Sequence, residues 1–255
     1  MKKLHYIFFL SILSIGQIVY SQKAYNAGEY FKFRIHYGII NAGYATLELK
    51  DITYNGKNVF HAKGYGWTTG LAKTFFKVED DYQSIFDKAT NKPYVFIRKI
   101  DEGGYTKNQQ GFFDQLQKNV LVKDYKNNTE KTYEVSANAQ DILSSFYYLR
   151  NYSTIDSLKE GDSIIIDMFF DNEIYKFRLK YLGKENLNTK FGKLSTLKFR
   201  PYVQSGRIFK EQESLTVWVS DDVNKVPVLI KADLLVGSLK ASLIEAKGLT
   251  QPLTK

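Results

Sequence analysis

The 255-residue chain contains no cysteine. That excludes disulfides, zinc–thiolate sites and thiol nucleophiles. It also excludes a bacterial lipoprotein anchor, which needs a cysteine at the cleavage point. Other chemical signatures are missing too. There is no Gly-x-Ser-x-Gly elbow and no His-Glu-x-x-His zinc helix. No glycine-rich loop leads from a strand into a helix, which argues against nucleotide use. Histidine is scarce, with only His36 and His61 beyond the first few residues. After the first apolar segment no second run approaches the length that spans a bilayer.

That first segment sets the expected address. Met1-Lys2-Lys3 is a short basic start, Leu4 to Tyr20 is apolar apart from His5, Ser, Gly and Gln, and Val19-Tyr20-Ser21 offers small residues at the −3 and −1 places. The pattern predicts a secretory leader over residues 1–21, cleaved after Ser21, and a single β-rich domain over 22–255. An uncleaved anchor is the alternative, but the run is short for it and gives way to polar Gln22-Lys23. The expected location is the periplasm or cell envelope of a bacterium, without a lipid anchor. Lacking disulfides, such a domain relies on its core, and about 230 residues suffice to build one. The 36 Lys and Arg exceed the 27 Asp and Glu by 9. Losing Lys2 and Lys3 leaves 34 against 27, a net +7. For an exported protein this favours anionic headgroups or polymers over nucleic acid as partners, with a solvated lysine face as the plainer alternative.

Strand patterns dominate. Phe31, Phe33, Ile35 and Tyr37 alternate with Tyr30, Lys32, Arg34 and His36. Gly38 to Gly43 is expected to turn the chain into a second strand, and Asn55-Gly56 is a strong hairpin dipeptide leading to a third. Trp67 to Lys77 reads as a short helix or wide loop. Alternation resumes over Val78–Phe86, Pro93–Ile100, Tyr105–Phe113 and Val120–Tyr125. Ile164 to Phe170 is apolar on both faces, as a central buried strand would be. Tyr175, Phe177, Leu179 and Tyr181 face inward against outward Lys176, Arg178 and Lys180, and four further strands follow. One amphipathic helix interrupts them at about 138–151. Ile142, Phe146 and Leu149 form its stripe, Asn138 is the expected cap, and Arg150 suits its negative end. The expected fold is mainly β: a large curved antiparallel sheet or incomplete barrel of roughly a dozen strands covered by this helix.

Three stretches together carry a family resemblance. They are Gly28-Glu29 with Phe33-Arg34-Ile35-His36-Tyr37-Gly38 and Ala42-Gly43; Gln140-Asp141-Ile142-Leu143-Ser144-Ser145 running into Tyr147-Tyr148-Leu149-Arg150; and Trp218-Val219-Ser220-Asp221-Asp222 with Pro227-Val228 and Gly237-Ser238. The chain resembles the exported bacterial proteins grouped as domain-of-unknown-function family 3108, over roughly Ala27 to Ala246. It departs from them at Asp141-Ile142, where aspartate followed by proline is expected. The resemblance implies a curved β-sheet envelope protein, similar in outline to the periplasmic lipoprotein-carrier fold, and implies no activity.

Candidate sites are few. His36 lies among cations, unfavourable for a metal, and His61 is isolated. Carboxylates cluster at Glu79-Asp80-Asp81 and Asp221-Asp222 without an EF-hand-like loop, so turn and strand-end roles fit them best. A hydrolase using scattered carboxylates stays open, as does a structural or protein-interaction module of the envelope. The leading expectation is non-enzymatic binding of a hydrophobic or anionic amphiphilic small molecule, with no cofactor and no metal. Its lining would come from Ile142, Phe146, Leu149, Phe33, Tyr37, Tyr175 and Phe177, and its basic rim from Lys176, Arg178 and Lys180. Aromatics at 15% could equally fill a packed core.

Overall fold

A computed structural model describes residues 23–203 and 215–253; the predicted leader lies outside them. The described residues form one antiparallel sheet of fourteen strands with two α-helices. The first half is a meander of eight: β1 (Tyr30–Tyr37), β2 (Ile40–Tyr54), β3 (Lys57–Thr68), β4 (Val78–Phe86), β5 (Pro93–Glu102), β6 (Tyr105–Asp114), β7 (Asn119–Asp124) and β8 (Thr129–Glu134). The second is a meander of six: β9 (Ser163–Phe170), β10 (Glu173–Thr189), β11 (Gly192–Val203), β12 (Leu215–Ser220), β13 (Pro227–Asp233) and β14 (Ser238–Lys247). Helix α1 (Gly70–Phe75) links β3 to β4, and α2 (Ile142–Arg150) separates the halves. β1 and β14 pair in the middle of the sheet, so its two edges are β8 and β9.

The turns follow from their residues. Tyr54 faces Lys57 across Asn55 and Gly56, whose φ angles of 48° and 75° are those of a mirror-image hairpin turn. The turn after β1 is tighter than the Gly38–Gly43 pattern predicts. Gly38 and Ile39 alone make it, and the chain re-enters the sheet at Ile40. Gly43 lies within β2 for a different reason: a Cβ there would stand 2.2 Å from the Trp67 carbonyl oxygen.

Two expectations need correction. Helix α2 starts at Ile142 with Asp141, not Asn138, as its cap. Gln140 is still extended, bonded through its backbone to Asp167 and Phe169 of β9, so the chain cannot turn helical earlier. β9, apolar on both faces, is an edge strand rather than a central one. Its apolar residues serve a seam. Phe169 packs among Phe96, Phe113 and Tyr133 from the other half, and Asp171, in the turn to β10, is bonded by Arg98 and Lys107. Side chains and the Gln140 bridge thus bring the two sheet edges together, leaving a barrel that is nearly but not fully closed.

Candidate functional site

Helix α2 sits inside the curve and is asymmetric. Asp141 accepts bonds from the Leu143 and Ser144 amides at 2.8 and 2.9 Å, while Ser144 Oγ accepts from the Asp141 amide. One face carries Tyr147, fully buried against Tyr25 and Phe86, and Leu143, which rests over Gly64. The helix therefore leans on β3, β4 and β9. It leaves a gap on its other side, towards β10–β13.

That gap is an open cleft of about 390 Å³. Phe146 and Leu149 form its helix wall, and Phe177, Phe199, Val217 and Ile230 its sheet wall. At one end it reaches Arg150, Ile155 and Lys225, which also border a polar basin of about 590 Å³ with Lys23, Asn151 and Asp156. Arg150 is fully committed. It makes two 2.7 Å bonds to buried Glu29, donates to the Asn224 and Ala24 carbonyls, and is flanked by the rings of Tyr25, Phe31, Phe146 and Tyr147. Lys225 donates to the Asp222 carbonyl and pairs with Asp156, whose side chain is 74% exposed.

Of the residues expected to line a ligand site, Ile142, Phe146, Leu149 and Phe177 border this cleft. Phe33 instead belongs to the closed core around Phe31 and Leu47. Tyr37 stands at a hairpin end, its hydroxyl donating to the Val236 carbonyl at 2.9 Å. Tyr175 is buried, with its hydroxyl donating to Glu173. Lys176, Arg178 and Lys180 do not rim the cleft. They alternate with the cleft residues Phe177 and Leu179, which places them on the opposite, outer face, where Lys176 pairs with Asp167 at 2.5 Å.

The carboxylates scatter. Glu79 pairs with Lys77 and Asp81 with Lys63. Burial and the neighbouring Glu102 carboxyl push Asp80 up to about 6. Asp221 pairs with Lys184, and Asp222 caps the following turn through the Asn224 and Lys225 amides. His36 touches the Gly38 carbonyl and Ser242, and His61 bonds Gln83. Among the described residues no three such side chains converge on a point that could hold a metal. Asp141, at the helix cap, is raised as well. Burial pushes it to about 6 although three donors, Ser84 Oγ among them at 2.5 Å, pull it down.

Sequence reasoning missed the Glu29–Arg150 pair. Its signal was present, since Gly28-Glu29 and Leu149-Arg150 both fall within the stretches that carry the resemblance. Nothing in either stretch, however, says that they meet.

A family model described as "Protein of unknown function (DUF3108)" matches residues 32–244. No curated protein matches the chain. Among solved structures the chain is similar to a β-barrel-like protein of domain of unknown function DUF1849 from Brucella abortus. The TM-score is 0.58 at 8% identity, covering 88% of this chain and 98% of that one. At such identity the likeness is one of fold. A protein of YmcC-like fold from Bacteroides fragilis NCTC 9343, described as exported, aligns at a TM-score of 0.33 and 10% identity over 88% of this chain and 98% of its own.

Proposed function

The chain belongs to the DUF3108 family of proteins of unknown function, and on that premise we propose that it is an exported envelope protein that binds, without catalysis, a hydrophobic or anionic amphiphilic small molecule between α2 and β10–β13. The observation that carries this reading is the cleft itself. Its 390 Å³ lies within the range of small-molecule sites, and its walls are almost wholly aliphatic and aromatic. A well-filled core would close such a gap, because unfilled apolar space costs packing energy. The junction with the polar basin suits an amphiphile, with a chain along Phe146 and Leu149 and a head group near Lys225. The carboxylate now paired with Lys225 is largely exposed, so an anionic head group can take its place.

The alternative, a module assembling through a free sheet edge, has β8 as its one candidate. β8 is mostly exposed but carries Glu130, Lys131 and Glu134, charges that discourage strand addition. The other edge is already occupied at Gln140.

Native mass spectrometry of protein purified without detergent tests the reading. A bound small molecule that disappears in Val217→Asp supports it. Repeatedly empty protein that also fails to take up a fatty-acid probe overturns it.

A further inference from the structure

In an antiparallel meander alternate connections emerge at the same end. The β1–β2 turn, the β3–β4 connection containing α1, and the β13–β14 turn therefore share one rim of the sheet. Contacts lock them side by side. Tyr37 faces Ile40 on one neighbour and Leu239 on the other, and its hydroxyl bonds the Val236 carbonyl. The Thr69 amide donates to Ala42 and Asn41 Nδ2 to Thr69, fixing the start of α1 beside the β1–β2 hairpin.

The residues at these tips break the chemistry of turns. The opposite rim turns on Asn55-Gly56, residues that tolerate positive φ and water. At these three neighbouring connections the tips are Ile39, Leu234-Leu235-Val236, and Leu71 and Phe75 of α1. Ile39 is 93% exposed, Leu235 97% and Phe75 85%. None of them contributes to the core, and side-by-side apolar tips are an exposed patch of the kind that marks an interaction surface. The neighbouring outer face is basic. Arg34 lies three residues before Tyr37, and Lys240 sits in register between His36 and Lys231. Among the described residues Asp233, paired with Lys231, is the only acid bonded to these cations.

We propose that this rim docks on an anionic membrane surface, with the apolar tips entering the headgroup–acyl boundary and Arg34, Lys231 and Lys240 meeting lipid phosphates. The tips are separate projections rather than a groove or flat face, which suits a deformable lipid layer. The cationic shoulder complements anionic headgroups. The inference is independent of what occupies the cleft.

The test is flotation of the purified protein, its N-terminus established by mass, with two vesicle types. One contains equal parts of phosphatidylglycerol and phosphatidylethanolamine, the other phosphatidylcholine alone. Binding is expected to the anionic vesicles and to weaken with salt. Leu235→Ser and Ile39→Ser should each lower partitioning by about tenfold, from the buried methylenes lost. Lys240→Glu should weaken binding to the anionic vesicles only. Unchanged melting temperatures are expected for the tip variants because Ile39 and Leu235 are exposed. Failure to bind either vesicle, or binding that the tip substitutions leave untouched, overturns the proposal. So does self-association in sedimentation that Leu235→Ser abolishes, which would assign the rim to a second copy of the chain.

Discussion

Replacing Asp141 with Asn should stabilise the protein near neutral pH and do little in acid. The wild-type carboxylate is buried beneath the first turn of α2. Its Oδ1 accepts two amides and its Oδ2 the Ser84 hydroxyl. Burial outweighs these donors and raises its pKa from 3.8 to about 6. The folded protein thus holds this proton more tightly than the unfolded chain. Stability is greatest below the unfolded value, falls as pH rises through about 4 to 6, and stays lower above that window. The interval from 3.8 to about 6 corresponds to about 3 kcal/mol at neutral pH. Asn retains the cap: its oxygen accepts the two amides, and its NH₂ donates to Ser84 Oγ, whose proton can turn away. Urea unfolding followed by the fluorescence of Trp67 and Trp218 at several pH values measures the difference between the two proteins. Asp80, also raised to about 6, contributes equally to both and cancels. The variant should gain up to about 3 kcal/mol between pH 4 and 7.5. A difference that is flat with pH, or an Asn variant less stable at pH 7.5 by more than about 1 kcal/mol, would refute the reasoning.

Other outcomes follow from the same geometry. Arg150→Met should cost about 3–5 kcal/mol, because it strands a buried Glu29, and Glu29→Met in the same chain should recover much of that in denaturant titrations. Val217→Asp, which places a charge in the apolar cleft, should lower the affinity for a fluorescent fatty-acid probe at least about tenfold with the fold retained by circular dichroism. Gly111→Ala should lose about 1–3 kcal/mol, since its Cβ would fall 1.9 Å from the Phe96 ring that now covers the glycine; an unchanged melting temperature would show that the ring has free space to move.

How much was legible in the sequence depended on the range of the interaction. Alternation in Phe31 to Phe33 and in Tyr175 to Tyr181 reports which side of a strand is buried, and the structure agrees, whereas Tyr37 at the end of β1 is exposed. Asn55-Gly56 encodes its turn within two residues. Membership of a sheet edge is different. Ile164 to Phe170 is apolar on both faces whether it is flanked by strands or, as here, packed through Phe169 across a seam. The helix start shifted from Asn138 to Asp141 because a backbone bridge to β9, invisible in local pattern, holds Gln140 extended. The cleft was half legible. The helix stripe of Ile142, Phe146 and Leu149 reaches it, yet Phe33 and Tyr37 were assigned by pattern to a face whose neighbours are set by strand order. Lys176, Arg178 and Lys180 could be placed outward, but not relative to a cavity on the other side.

The pairing of β1 with β14 has a temporal consequence. Tyr30 lies opposite Lys247, so the sheet's central joint links residues from nearly opposite ends of the chain. Each meander gains its contacts locally and can form as soon as its hairpins exist. Joining them brings together residues more than 200 apart in the chain, and no central contact forms until it happens. The slow step in assembly should therefore be the meeting of two preformed half-sheets, with the inward faces of both exposed until β14 arrives. A chain synthesised from its N-terminus cannot complete this fold early.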